Sequence, residues 1–153
     1  MIILDTDVLS IVQRGEGPAY DHLVARLDVA DDEVVVCIVS FEEQMRGWLA
    51  YIARSKSSNQ QIAAYARLHA MLDDFATRPV VGFDRSAAAE FERMLRLKLR
   101  IGTMDLRIAA IAIAQDALLL SKNLTDFREV PGQSVEDWTV SSLRHGACCG
   151  LIC

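Results

Sequence analysis

Four acidic residues are widely spaced along the chain, and each follows an apolar strand-like segment or lies near the start of a predicted helix. They are Asp5, Glu43, Asp105 and Asp126. In an open parallel sheet the carboxyl ends of the strands share one edge, so side chains distant in sequence can meet there. Carboxylates held together repel one another and take up protons unless a cation such as Mg²⁺ or Mn²⁺ compensates their charge. The sequence therefore predicts a divalent-metal site of the kind that supports phosphodiester chemistry.

Each acid also has an ordinary structural explanation. Asp5 directly follows an apolar run at residues 2–4 and could cap the next helix. Asp105 lies in the first turn of a predicted helix, with Thr103 as its N-cap, where the helix dipole favours a negative charge. Asp126 lies in a polar turn, where Asn and Asp often form local hydrogen bonds. No single acid establishes a metal site, so the hypothesis depends on the four together.

Glu43 has a neighbouring competitor. The segment Ser40-Phe41-Glu42-Glu43 has the pattern of a capping box, in which Ser40 and Glu43 each accept a hydrogen bond from the other's backbone N–H. Glu42 could face the metal instead. The residue pattern alone does not choose between Glu42 and Glu43.

The formal net charge of −5 argues against non-specific coating of nucleic acid, because affinity for the phosphate backbone depends on Lys and Arg. Any nucleic-acid binding must therefore be local. Basic residues are concentrated on both sides of Asp105 and include Arg93, Arg96, Arg100 and Arg107. The first three have a spacing that places them on one face of a predicted helix. This pattern is equally compatible with a phosphate-binding surface and with a solvated face offset by Glu90 and Glu92.

The chain has 153 residues and is 52% hydrophobic, which is typical of one domain with a substantial core. No apolar run is long enough to span a bilayer, and the N-terminus lacks the basic segment of a signal peptide. We therefore expect a soluble, cytoplasmic protein with one domain at residues 1–140. Residues 141–153 are expected to form an irregular tail, whose cysteines together with His145 match no zinc pattern.

Strand-like and helix-like periodicities alternate along the chain. Strands are predicted at residues 2–4, 34–39, 80–81, 118–120 and 138–140. Helices are predicted at about residues 7–13, 18–30, 41–54 and 59–77, after Asp84 and after Thr103. This alternation predicts an α/β fold with a mainly parallel sheet between helical layers. The helix after Thr103 is apolar almost all round and is expected to be buried.

Taken in order, these motifs resemble the PIN-domain ribonucleases, in particular the VapC-type toxins of bacterial toxin–antitoxin pairs. Shorter matches at residues 130–132 and 135–138 extend the resemblance over essentially the whole chain to Trp138. It implies a PIN-like three-layer α/β/α fold. The main matching segments are Ile-Leu-Asp-Thr-Asp-Val-Leu-Ser at 3–10, Val-Ser-Phe-Glu-Glu-Gln-Met-Arg-Gly at 39–47, Gly-Thr-Met-Asp-Leu-Arg-Ile-Ala-Ala at 102–110 and Leu-Ser-Lys-Asn-Leu-Thr-Asp-Phe at 120–127.

The resemblance implies a role for each candidate residue. The catalytic and metal-binding acids would be Asp5, Glu43, Asp105 and Asp126, with Mg²⁺ or Mn²⁺ as the cofactor. Glu43 is preferred over Glu42 because Gly47 follows it by four residues, as in the family. Asp126 is a weaker ligand candidate, because some PIN proteins place the fourth acid at the position of Asn123. The candidate substrate-binding residues are Ser121 and Asn123, which match the family's Thr-x-Asn turn, and Arg93, Arg96, Arg100 and Arg107.

The implied activity is cleavage of RNA, with transfer RNA as the expected substrate class and with 5′-phosphate and 3′-hydroxyl products. A small antitoxin protein is the implied partner, and a homodimer is the implied assembly. The amphipathic segment at residues 59–75 is compatible with an antitoxin-binding groove and with simple core packing.

Two alternatives stay open at this point. Asp5-x-Asp7 after a hydrophobic strand also resembles haloacid-dehalogenase-type phosphohydrolases, in which Asp5 would be a covalent nucleophile, Asp7 the acid/base and Ser40 a phosphate binder. The chain lacks that family's later Gly-Asp-x-x-x-Asp pattern. The other alternative is a noncatalytic PIN-fold module whose role is to bind a partner protein.

Overall fold

The computed structural model of the protein describes residues 1–141, so the predicted cysteine-rich tail lies, apart from Ser141, outside the described residues. Within that part, the strands form one sheet in the order β3-β2-β1-β4-β5, and every pairing between neighbours is parallel. The prediction of a mainly parallel sheet is confirmed. The strands are β1 (Ile2–Leu4), β2 (Val34–Cys37), β3 (Val80–Val81), β4 (Leu118–Leu120) and β5 (Val135–Glu136).

The helices lie between the strands along the chain, as the alternating periodicity predicts. They are α1 (Thr6–Arg14), α2 (Pro18–Leu27), α3 (Ile38–Arg54), α4 (Ser58–Thr77), α5 (Arg85–Leu97), α6 (Thr103–Ala114) and α7 (Leu124–Phe127). The short α7 replaces the polar turn expected around Asp126. None of the helices in the described part of the chain is both long enough and apolar enough to cross a bilayer.

Side chains of the central strands alternate between two hydrophobic cores on opposite faces of the sheet, as the twofold periodicity of a strand requires. Ile3, Val35 and Leu119 pack with side chains of α5 and α6. Leu4 and Val36 pack with side chains of α1, α2 and α4. The sheet is therefore covered on both faces, which confirms the predicted α/β/α layers.

Helix α6 is buried along most of its length, as its apolar sequence predicts. Residues 108–112 are completely inaccessible to solvent. Three of these five residues are alanines, whose small side chains allow the helix to approach the sheet closely. This packing fixes the direction of α6 and therefore the position of Asp105 in its first turn.

The start of α3 differs from the prediction. The strand β2 ends at Cys37 and not at Val39, and the helix begins at Ile38 with Cys37 at the N-cap. Ser40 therefore lies inside the first turn, fully buried, with its hydroxyl 3.3 Å from the Cys37 sulfur. The predicted capping box is wrong, because a run of β-branched residues is compatible with the end of a strand and equally with a buried first turn of a helix.

Three smaller corrections follow. Helix α6 has Gly102 at its N-cap, so Thr103 is the first helical residue and its side chain does not cap. The last described strand is β5 and not residues 138–140, because β4 pairs with Val135 and Glu136 and the Thr139 N–H donates to the Asp137 side chain. Helix α5 ends at Leu97, so Arg100 lies beyond it and not on the predicted common face with Arg93 and Arg96.

Candidate active site

The site is built where the two central strands end. The parallel register of β1 and β4 pairs Leu4 with Leu120, which sets Asp5 beside Ser121 at the carboxyl edge of the sheet. The Ser121 hydroxyl donates to Asp5 Oδ2 at 2.6 Å, and the Thr6 N–H donates to Asp5 Oδ1 at 2.7 Å. Asp5 is thus the N-cap of α1, and both of its carboxylate oxygens are held.

The Ser121-Lys-Asn123 turn connects Asp5 with the acids of α6 and α7. The Asn123 backbone N–H donates to Ser121 Oγ at 3.0 Å. Its side-chain Nδ2 lies 3.3 Å from Asp105 Oδ2 and 2.9 Å from Asp126 Oδ2. One amide therefore positions two carboxylates.

Glu43 reaches the same place from the second turn of α3. The Thr6 hydroxyl donates a hydrogen bond to Glu43 Oε2. Glu42, one residue earlier, instead pairs with Arg46 at 2.6 Å on an adjacent part of the helix. The structure therefore selects Glu43 and not Glu42 as the residue that faces the cleft.

Asp7 belongs to the site although it was not among the predicted ligands. Its Oδ2 accepts a hydrogen bond from the Lys122 N–H at 3.1 Å, whereas its buried Oδ1 has no hydrogen-bond partner. Asp7 lies two residues after Asp5 on the first turn of α1, and that spacing was the only signal in the sequence. Such an unsatisfied buried carboxylate oxygen is costly unless a ligand completes it.

These residues enclose an open cleft of about 440 Å³. Asp126 is not part of the cleft wall and lies behind Asn123, and Ser121 lies behind Asp5. The residues that line the cleft are Asp5, Thr6, Asp7, Ser10, Glu43, Gln44, Asp105 and Asn123. Four of them are acidic, and no Lys or Arg side chain of the described residues is among them.

Burial raises the pKa values of Asp5, Asp7 and Asp105, and neighbouring carboxylates add to the effect. Burial raises the pKa of Asp5 to about 7, because desolvation outweighs the hydrogen bonds from Ser121 and Thr6. The pKa of Asp105 is raised by burial and then by the charges of Glu43 and Asp126. Burial also raises the pKa of Asp7. The carboxylates are therefore poorly compensated by the protein itself.

The donor set fits a hard divalent cation in three respects. Its donors are oxygen atoms, its charge is negative and uncompensated, and the Asp7 Oδ1 atom has no partner inside the protein. Within residues 1–141, however, no three acidic, histidine or cysteine side chains already surround one point closely enough to hold an ion. The carboxylates therefore share a cleft without being preassembled around an ion, and ion binding would require them to move closer together.

The four predicted basic residues do not line the cleft. Arg93 pairs with Glu90 at 2.7 Å, as the solvated-face interpretation predicted. Arg107 lies over the Phe91 ring at 5.7 Å. Arg100 follows the end of α5 and so does not share a helical face with Arg93 and Arg96.

Comparison with protein families agrees with this architecture. The family model of the PIN domain matches residues 2–133. The chain therefore belongs to the PIN domain family. A comparison with curated proteins finds no significant match.

Solved structures with the same fold include toxin–antitoxin complexes. VapBC-1 from nontypeable Haemophilus influenzae is 20% identical with a TM-score of 0.68, covering 92% of this chain and 100% of that chain. VapBC2 from Rickettsia felis, bound to a promoter DNA fragment, is 23% identical with a TM-score of 0.65, covering 90% and 99%. DNA-bound VapBC from Salmonella typhimurium is 24% identical with a TM-score of 0.65, covering 90% and 97%. At these identities the similarity establishes the common fold.

Proposed function

We propose that the protein is a metal-dependent endoribonuclease and the toxin of a toxin–antitoxin pair. The observation that carries the proposal is the convergence of Asp5, Glu43 and Asp105, from three different elements, on one cleft that no Lys or Arg side chain of the described residues lines. Membership of the PIN family and the shared fold with VapBC structures support it.

The side chains of the cleft would act mainly by positioning the cation. Asp5, Glu43 and Asp105 would hold Mg²⁺ or Mn²⁺, with Asp7 as a further oxygen donor and Asp126 acting through Asn123. The bound cation supplies Lewis-acid activation of water and charge neutralisation at the phosphate. Ser121 and the Thr6 N–H fix the Asp5 carboxylate, and Asn123 fixes Asp105, so that these oxygens face the cleft before substrate arrives.

The proposed substrate is RNA, with transfer RNA as the expected class, and the proposed compartment is the cytoplasm. The proposed partner is a small antitoxin protein, which the VapBC complexes among the similar structures support. An apolar groove of about 510 Å³ between α3 and α4 offers it a surface; we call this the α3–α4 groove. It is lined by Phe41, Met45, Leu49, Tyr65, Leu68, His69, Met71 and Leu72.

The test is a cleavage assay with the purified, partner-free protein and total RNA, with and without Mn²⁺ or Mg²⁺. Discrete fragments that require the metal and disappear in Asp5→Asn and Asp105→Asn support the proposal. The control is Asp84→Asn, because Asp84 caps α5 outside the cleft and Asn caps equally well. Cleavage by all three variants at the wild-type rate contradicts the proposal.

The same assay separates the alternatives. Intact RNA at every metal and protein concentration favours a noncatalytic module. Release of phosphate from small phosphomonoesters favours a phosphohydrolase. In the phosphohydrolase alternative Ser40 would bind the phosphate. Ser40 is fully buried and does not line the cleft, so it is not placed for that role.

A further inference from the structure

A second hollow, of about 390 Å³, adjoins the acidic cleft and shares Ser10 and Gln44 with it. It lies where α1 and α3 face each other and extends along α3 away from the acids. We call this surface the α1–α3 strip; its defining residues are Ser10, Gln44, Gly47, Trp48, Tyr51 and Arg54. A polymer whose cleaved bond lies in the cleft can therefore continue onto the strip.

The strip follows one face of α3. Gln44, Trp48 and Tyr51 are spaced four and three residues apart, and Arg54 follows after three more, so these side chains are neighbours along the helix. At 1.5 Å per residue, Arg54 lies about 16 Å along the helix from Glu43. This length suits a few nucleotides of a single strand and exceeds what one phosphate group needs.

The floor of the strip is held by a network of amides. Gln44 and Gln13 exchange hydrogen bonds at 2.8 and 3.2 Å, and Gln13 also donates to Asp74 at 2.9 Å. Gln44 Nε2 lies 3.4 Å from Ser10 Oγ. These hydrogen bonds hold Gln44, the neighbour of Glu43 in the sequence, in place at the base of the strip.

Gly47 lies in the middle of α3, where glycine is unfavourable relative to alanine because it loses more conformational entropy on folding. A Cβ atom at this position would contact nothing in the described structure within 4 Å. Internal packing therefore does not require glycine here. The missing side chain leaves the helix surface flat beside Trp48, as close approach by an external ligand requires.

The outer part of the strip combines aromatic and cationic groups. Trp48 and Tyr51 meet edge to face with ring centroids 6.0 Å apart; Tyr51 is well exposed, whereas Trp48 is half-buried and packs partly against the core. Arg54 is exposed and forms no ion pair within residues 1–141, in contrast to Arg46, which pairs with Glu42. Exposed aromatic rings stack on bases, and an unpaired guanidinium binds phosphate.

We propose that the α1–α3 strip binds unpaired nucleotides flanking the cleaved bond, with separate bases stacked on Trp48 and on Tyr51 and a phosphate at Arg54. This inference rests on the proposed ribonuclease function and specifies a single-stranded segment as the part of the RNA that is bound. The mixture of cation, amide and aromatic groups favours RNA over an apolar protein segment, for which the α3–α4 groove is better suited.

The test measures binding of the full-length protein to a fluorescently labelled uridine hexanucleotide in a buffer with a chelator, which prevents metal-dependent cleavage. Trp48→Leu is expected to weaken binding about tenfold and Arg54→Gln about fivefold, the latter with a smaller dependence on salt. Gly47→Ala is expected to weaken binding at least about fivefold while raising the melting temperature by a few degrees, because alanine favours the helix.

The matched control is Arg46→Gln, which removes a guanidinium from the same helix outside the strip and is expected to bind like wild type. Wild-type affinity in all three strip variants overturns the inference, even if the protein cleaves RNA. Normal RNA binding combined with lost inhibition by the antitoxin also overturns it, since the strip would then be a protein interface. The ribonuclease proposal is tested separately, by metal-dependent cleavage of total RNA by the wild type.

Discussion

The acidic cleft and the α3–α4 groove are built in opposite ways. In the cleft, backbone register and hydrogen bonds fix side chains such as Asp5 and Asp105, but their charges are left uncompensated. In the groove, Leu49, Tyr65 and Leu72 are about half exposed, and their shared property is apolar area. A site of the first kind is suited to a small ion and to chemistry, whereas one of the second kind is suited to a protein segment whose binding buries that area.

The largest expected effect tests whether the cleft depends on single carboxylates. Glu43→Gln should reduce RNA cleavage by about 100-fold or more, because it removes a charged oxygen donor to the cation. Glu42→Gln is the matched control, since Glu42 pairs with Arg46 and does not line the cleft. Cleavage rates under saturating metal measure both. Equal losses in the two variants would contradict the geometry described for α3.

A somewhat smaller effect is expected at the amide that positions two acids. Asn123→Ala should lower activity or metal affinity by about 10- to 100-fold, because Asp105 and Asp126 lose their common donor. Asn59→Ala is the control, since Asn59 is exposed in the first turn of α4 and does not line the cleft. Metal titrations of cleavage measure the difference. Wild-type metal dependence in Asn123→Ala would show that Asp105 needs no such support.

The third prediction concerns stability, and its sign follows from the raised pKa of Asp5. The folded metal-free protein favours the protonated carboxyl, so this stabilisation is complete below pH 3.8 and is lost as the pH rises to about 7. Asp5→Asn should therefore increase the free energy of unfolding at pH 8. We expect roughly 2 kcal/mol, about half of what the full shift implies, since buried sites relax on ionisation.

Urea denaturation in chelating buffer at pH 5 and pH 8 measures this effect, and added Mg²⁺ should reduce the difference at pH 8 because the cation binds the ionised wild type. Asp84→Asn again serves as the control, as a second N-cap aspartate. If the free energy of unfolding changes with pH equally in wild type and Asp5→Asn, Asp5 is not the source of the pH dependence.

The smallest effect on catalysis is expected in the groove. Tyr65→Ser and Leu72→Ser should leave RNA cleavage unchanged and lower the free energy of unfolding by about 1 kcal/mol or less, because both side chains are about half exposed. Inhibition by the cognate antitoxin should weaken about tenfold or more. Val29→Ser, at an exposed apolar residue that does not line the groove, is the control. A loss of cleavage in the groove variants would show that the two regions are not independent.

The sequence predicted the parts of the fold that periodicity determines. Strands β1, β3 and β4 lie where they were expected, and α6 is buried as its apolar pattern required. The ends of elements were less predictable, since β-branched residues such as Ile38 and Val39 are compatible with both a strand and a buried helical turn. The residue type of Trp138 predicts a strand, but Trp138 lies two residues beyond the end of β5 and its indole N–H donates to Glu136 of that strand.

The candidate site was predictable where an acid follows a buried strand, as Asp5 does. The residue pattern alone left Glu42 and Glu43 open, because one residue along a helix changes the direction of a side chain by about 100°; the family resemblance favoured Glu43, and the structure places Glu43 in the cleft. The contributions of Asp7 and Gln44 also depended on how α1 packs against α3. Their roles, like those of the predicted acids, stay proposals until the variants are measured.

The strand order also determines when the cleft can assemble during synthesis of the chain. Asp5 is near the start of the chain, yet the residue that positions it, Ser121, is separated from it by 116 residues. Strand β1 gains its second neighbour only when β4 has emerged from the ribosome. A nascent chain that has not yet reached Ser121 therefore has no assembled cleft. The acids near the start of the chain stay apart from their partners until the fourth strand has been made.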